Sequence, residues 1–345
     1  MRRFDVWLVG LGTVGRWLLH RLDSQGGAPL SRYGLEPRVV GVANARDGFV
    51  HRVDGLDTRL LLELLAAGRP ISEHPGTERW ERSLEGLAAT RADVLVEVTA
   101  SPRDDGEPGL AHMREALGRG IPVVTSNKWP VALHGVELTE RAAKSGTAFR
   151  AESTVMSGTP VLSTLTEGLA GATVTGIRGV LSATVNFILT RMAEGDGYDE
   201  ALARAQRAGL AEPDPSVDVD GDDETAKAMI FAALVFGSQL RPGDVACKPV
   251  ARLDPAEVQA AAAAGDRLRS VTSIERGGEN EPLTARVGPV ALPPDDRLWG
   301  VEGSENSVVC SVDPVGSITV TGPGAGPALA GQGVLSDLIS VATAR

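Results

Sequence analysis

Asp223 and Lys227 stand four residues apart in "GLAEPDPSVDVDGDDETAKAMIFAA", residues 209–233, so any helix that contains them carries both on one face. Phe231 and Leu234 continue that face. On a solvated face the pair would stabilise its helix by about 0.3–0.5 kcal/mol and nothing more. The apolar continuation points inward, where a lysine beside a carboxylate is tuned for proton transfer. Lysine is scarce: the chain's lysines are Lys128, Lys144, Lys227 and Lys248, and its other basic side chains of this class are arginines, which release no proton at accessible pH. Lys128, in "VTSNKWPVA" (124–132), follows an apolar strand at the sheet edge where open α/β folds bind ligands, although position alone leaves an ordinary surface turn equally open. Glu212 precedes Pro213 in a loop, where it could meet a cationic substrate group. The carboxylates at 214, 218, 220 and 222 do not match the spacing of a calcium loop. His20, His51, His74, His112 and His134 all precede residue 151, so the second half offers no histidine acid or base.

These groups need a scaffold, and "DVWLVGLGTVGRWLLHRL" (5–22) supplies its first piece. Residues 6–9 read as a buried strand and 14–22 as a helix, with Gly10, Gly12 and Gly15 in G-x-G-x-x-G between them. Such a turn brings a pyrophosphate against the backbone, with Thr13 and Val14 at the positive helix N-terminus. Residues 38–43 form the second strand. Where an NAD-specific fold ends that strand in Asp or Glu, this chain has Asn44, followed by Arg46 and, further on, Arg52, which could pair with a 2′-phosphate. Asp47 would restore the NAD reading if the strand ended three residues later. The charge pattern therefore predicts NADP(H) over NAD(H).

A helix at 57–67, a strand at 93–98, a helix at 109–118, a strand at 122–125 and a helix at 136–145 complete a βαβ alternation, hence a Rossmann-type doubly wound parallel sheet over residues 1–150. Residues 151–320 read as a second, α+β domain for substrate and dimerisation. In it a strand leads into a helix through "VTGIRGVLSATVNFILTRM", helices span 198–208 and 223–236, an Ala-rich one covers 256–264, and short antiparallel strands fill 283–320. Residues 321–345, a Gly-rich turn and a helix, return to the first domain. A net charge of -11 argues against nucleic-acid or anionic-membrane partners. No stretch has membrane-spanning length, and Met1-Arg2-Arg3 passes directly into the first strand, leaving no removable signal segment. Cys247 and Cys310 lack a pairing pattern and read as reduced and buried, which makes the cytoplasm the expected compartment.

"GLGTVG", "TSNKWPVA", "ESTVMSGTP", "GVLSATVNFIL", "GLAEPDPSVDVDGDDETAKAMI" and "GPGAG" occur in the order and at about the spacing of the homoserine dehydrogenases, which the chain resembles over nearly its whole length. It resembles the short form, without a regulatory ACT domain. The resemblance implies NAD(P)-dependent interconversion of L-aspartate 4-semialdehyde and L-homoserine in threonine, methionine and isoleucine biosynthesis, by a homodimer. It implies that Lys227 is the acid/base, Asp223 its companion carboxylate, Lys128 a group at the cofactor and substrate junction, and Glu212 the holder of the substrate ammonium. Thr99 and Ser126 match positions near the nicotinamide ribose, and residues 322–326, with Gly324 and Gly326, the turn that closes over the cofactor. Glu152 and the carbonyls of Val155, Ser157 and Thr159 match a monovalent-cation site, usually sodium. Ser182-Ala183 replaces the family's Asn-Gly, and "EVTAS" stands where a glycine pair is common. Two alternatives remain: another semialdehyde dehydrogenase, which would need a thiolate that neither cysteine context provides, and a dinucleotide-binding redox sensor, which would not need Glu212, Asp223 and Lys227.

Overall fold

The opening apolar run forms β1 (Arg2–Val9), the middle strand of a seven-stranded sheet in the computed structural model, which describes residues 1–23, 28–211, 214, 216–278, 281–324 and 326–344. Its neighbours β2 (Leu35–Asn44) and β5 (Val94–Glu97) run parallel to it, and β6 (Val123–Thr125) and β7 (Phe149–Arg150) extend the parallel part. Beyond β2, the strands β3 (Gly48–His51) and β4 (Glu78–Trp80) add an antiparallel edge that the βαβ pattern did not announce. Numbering helices of seven residues or more, α1 (Thr13–Leu22), α2 (Thr58–Ala66), α3 (Ser83–Ala89), α4 (Gly109–Gly118) and α5 (Lys128–Lys144) connect the strands. One face of the sheet packs Val6 and Leu8 against Leu18, Leu19 and Leu61; the other packs Trp7 and Val9 against Leu87, Met113 and Leu138. Each such fully buried side chain stabilises the fold by roughly 1.5–3 kcal/mol. Helices on both faces make the sheet doubly wound, as the sequence predicts.

The chain divides into two compact units, one made of Met1–Gly158 with Gly326–Arg345 and the other of Thr159–Ala325. The last helix, here α10 (Pro327–Thr343), belongs to the first unit, where Leu335 and Leu338 join the core around Leu18. The second unit holds a six-stranded sheet in the order β13-β12-β8-β10-β11-β9, from β8 (Thr173–Val180), β9 (Val245–Cys247), β10 (Arg267–Arg276), β11 (Leu283–Leu292), β12 (Glu305–Asp313) and β13 (Gly316–Pro323). All its pairings are antiparallel except β11 with β9. Its helices are α6 (Ala183–Ala193), α7 (Tyr198–Arg207), α8 (Asp222–Leu234) and α9 (Pro255–Ala263). Leu268 of β10 packs with α6, α7 and α9, whereas Val271 faces Val180, Leu292 and Leu298 on the opposite side.

Several expectations are corrected. The helix expected at 136–145 begins at Lys128, because Pro130 sits in its first turn, where the missing N–H is not needed; the backbone is irregular only at His134. Antiparallel pairing of the later strands begins with β10 rather than at 283, since "RLRSVTSIER" hides its alternation under four charged residues. Cys310 is buried as expected, but Cys247 is exposed at the end of the edge strand β9. Among the described residues, no helix is long and apolar enough to cross a membrane.

Candidate active site

In the first unit the order β2-β1-β5 reverses direction of winding at β1, the place where parallel sheets bind ligands. A cleft of 880 Å³ opens there at the carboxyl ends of the strands, lined among others by Gly10, Gly12, Thr13, Val14, Asn44, Arg46, Thr99 and Ser126. The glycines divide their work. A Cβ on Gly15 would lie 2.0 Å from the Gly10 carbonyl oxygen, so this residue lets α1 approach β1. A Cβ on Gly12 would meet nothing within 4 Å, so the space above it belongs to the cleft. Gly10 has φ +105°, and a Cβ on it would lie 2.6 Å from the Val98 carbonyl. An open nest of backbone at the start of a ten-residue helix fits a pyrophosphate.

The loop after β2 settles the position of Asp47. Its carboxylate is buried and accepts from Asn44 Nδ2 at 2.8 Å and Arg46 Nε at 3.0 Å. Burial opposes its charge, but the Arg46 guanidinium, the Asn44 amide and the Ile71 N–H together hold the carboxyl below the usual range. Asp47 is not among the residues that line the cleft. Asn44 Oδ1 is likewise spent, on the backbone N–H groups of Arg46 and Asp47. Arg46 remains half-exposed on the cleft, steadied by the carbonyls of Gly68 and Arg69. Arg52 does not line this cleft; its guanidinium donates towards Pro75 O and borders a separate recess.

At the other end of the cleft is a buried polar cluster that the sequence did not reveal. Glu97, at the end of β5, accepts from Thr99 Oγ1 and from Asn127 Nδ2, and the Asn127 amide also reaches Ser101 Oγ at 2.7 Å. Ser83 and His112, 2.6 Å apart, line the same cleft. A charged residue inside the apolar run "DVLVEV" was the available signal. Lys128 follows Asn127 as the first residue of α5, half-buried.

In the second unit, α8 is buried from Asp223 to Ala233. Gly221, at φ +84°, starts it, and three carboxylates in its first turn complement the helix dipole. Lys227 Nζ lies 2.7 Å from Asp223 Oδ2 and donates to Leu181 O at 2.5 Å. Both side chains are about nine-tenths buried, so the inward reading of the pair holds. Asn306 Nδ2 donates to the same Leu181 carbonyl at 3.1 Å, a partner 125 residues away in the chain. Ser182, at the departure from the family pattern, caps α6 by accepting from Val185 N. Glu212 lies outside the described residues.

Glu152, Val155 and Ser157 fall in the first unit and Thr159 opens the second. Glu152 is buried and its N–H donates to Asp337 Oδ2 at 2.9 Å; burial pushes the Asp337 carboxyl up to about 7. Ser157 has a left-handed φ of +53°. A carboxylate with backbone carbonyls is an all-oxygen donor set, suited to a hard cation rather than a transition metal. No cluster of three or more His, Cys, Asp or Glu with metal-binding geometry occurs among the described residues. Gly324 packs against Asn306 in the second unit, and Gly326 precedes α10 in the first.

Comparison with known proteins reaches both units. A family model described as homoserine dehydrogenase matches residues 160–339, and one described as homoserine dehydrogenase, NAD binding domain, matches residues 10–152. An NAD(+)-dependent homoserine dehydrogenase of Pseudomonas canavaninivorans is 35% identical over 341 residues, 99% of this chain and 97% of the relative. A homoserine dehydrogenase of Methanocaldococcus jannaschii is 33% identical over 98% of both chains. The solved structure of a hyperthermophilic archaeal homoserine dehydrogenase in complex with NADPH superimposes with a TM-score of 0.83 at 29% identity, covering 100% of this chain and 99% of the other.

Proposed function

The chain belongs to the homoserine dehydrogenase family and is an NAD(P)-dependent oxidoreductase, and on that premise we propose that it interconverts L-homoserine and L-aspartate 4-semialdehyde with Lys227 as the acid/base. The observation that carries this reading is the Lys227 ammonium, buried and held by Asp223 and the Leu181 carbonyl, which leaves it one N–H to offer a reacting oxygen. When bound, the nicotinamide supplies or accepts the hydride. In reduction, Lys227 donates its proton to the carbonyl oxygen as negative charge develops there; in oxidation, the neutral amine takes it from the hydroxyl. Lys128 adds positive charge at the same oxygen. Thr99 and Ser126 would hold the nicotinamide ribose, and Gly10, Gly12, Thr13 and Val14 the pyrophosphate.

Glu212 receives the substrate ammonium. Glu212→Gln is expected to raise KM for homoserine by about ten- to a hundredfold, the size of a charge-assisted hydrogen bond, and to leave KM for the cofactor nearly unchanged. Equal changes in both would assign it to the fold.

NADP(H) binds more tightly than NAD(H) in this reading. The support is the half-exposed Arg46 on the cleft and the burial of Asp47 away from it. The assay is homoserine oxidation followed by nicotinamide absorbance with each cofactor, and cofactor titration of the wild type and Arg46→Ala. The variant is expected to lose about tenfold or more in NADP(H) affinity and little in NAD(H) affinity. An equal loss for both cofactors, or a wild type that prefers NAD(H) tenfold, would reverse the assignment. No turnover of homoserine with either cofactor would overturn the function itself.

A sodium ion held by Glu152 and the carbonyls of Val155, Ser157 and Thr159 supports the segment between the units. The second unit's sheet pairs two chains into a homodimer, and the free Cys247 and Cys310 suit a reducing cytoplasm.

A further inference from the structure

Glu224 follows Asp223 in α8 and has no part in the mechanism above. It is 1% exposed. Its Oε2 accepts from Ser270 Oγ at 2.8 Å, and its Oε1 has no hydrogen-bond partner among the described residues. A carboxylate so placed is costly, and one neutral hydroxyl offsets little of that cost. The groups around it come from every element packed on α8. Its own helix brings Asp223 and Lys227, and residues 216–219 bring Asp218. β10 brings Ser270 and, on the same strand face, Thr272, whose Oγ1 is also buried without a hydrogen-bond partner among the described residues; β9 brings the Cys247 thiol. Arg286 of β11 and Asp244 are exposed. Burial pushes the Glu224 carboxyl up to about 7, with the Ser270 hydrogen bond and the Lys227 charge pulling it back.

We infer that Glu224 is a positioning residue for the acid/base pair, whose state of charge sets how firmly α8 holds the Lys227 proton; the inference rests on the assignment of Lys227 above. Neutral, Glu224 leaves the ammonium to Asp223 and the Leu181 carbonyl. Ionised, it places a second negative charge one residue along the same helix. That charge holds the proton back from a developing alkoxide in reduction and makes the amine a better acceptor in oxidation. The two directions of the reaction therefore respond oppositely as pH passes neutrality.

The experiment compares wild type, Glu224→Gln and Ser270→Ala. Relative to Glu224→Gln, wild-type kcat for reduction is expected to fall by about tenfold between roughly pH 5.5 and 8.5, with KM for the cofactor unchanged. Ser270→Ala removes a bond that favours the ionised form, so its limb moves to higher pH. It also carries the test if Glu224→Gln does not fold. Melting supplies a readout that needs no activity. Between the ordinary value of 4.5 and about 7, the folded protein holds a proton that the unfolded chain has released, so stability falls as pH rises through that window and stays lowered above it. Glu224→Gln is expected to melt above wild type on the alkaline side and alongside it below the window. Profiles of both variants that track wild type overturn the role of Glu224. Lys227→Arg in the same assay separates the two ideas: an active variant overturns the acid/base assignment, whereas flat profiles in an enzyme that Lys227→Arg inactivates overturn only Glu224.

Discussion

Lys227→Arg is expected to fold, bind cofactor and lose kcat by a hundredfold or more, about the contribution of a positioned acid/base. The substitution keeps a positive charge beside the buried Asp223, with which Lys227 pairs at 2.7 Å, so the charge balance of the pair is preserved. What it removes is the exchangeable proton, because a guanidinium does not deprotonate at working pH. The larger head also displaces the bond to Leu181 O, so melting temperature and cofactor titration accompany the kinetics. A variant that keeps more than about a tenth of wild-type turnover removes Lys227 from the proton transfer, and a selective loss of kcat in Lys128→Ala then moves the role there.

The second large effect separates two glycines of one turn. Gly12→Ala is expected to melt close to wild type and to weaken cofactor binding by about tenfold or more, since the added methyl meets no protein atom and fills only the space a pyrophosphate would approach. Gly15→Ala is expected to lower stability by several kcal/mol, because its Cβ, 2.0 Å from Gly10 O, forces α1 away from β1 and disturbs the packing of Leu18 and Leu19. Calorimetry and fluorescence titration of the two variants read the contrast. Equal melting temperatures for the two, or unchanged cofactor affinity in Gly12→Ala, would contradict the division of labour between them.

What the sequence disclosed was local. The turn at Gly10–Gly15 and the i,i+4 pair of Asp223 and Lys227 are written in spacings of a few residues, and the structure places both where those spacings require. What it concealed depends on contacts between distant segments. Nothing near Asn306 in the chain shows that its amide shares the Leu181 carbonyl with Lys227, and Glu224 is one more carboxylate in an acidic run, with no local spacing that marks it as buried. Arg46 and Arg52 look alike in sequence, yet the turn after β2 brings only Arg46 to the cleft. Asp47 is ambiguous in sequence because its burial depends on the Arg46 guanidinium folding back onto its carboxylate.

The return of α10 to the first unit has a consequence for synthesis. On the ribosome, residues 1–158 emerge without Leu335 and Leu338, which share their core with Leu18 and Val6. The nucleotide-binding unit therefore stays incompletely closed while the whole of 159–325 is being made, whereas the second unit, continuous in sequence, has all its strands available before the last helix leaves the exit tunnel. Assembly then runs against chain order: the part that begins the polypeptide is the last to reach its final stability.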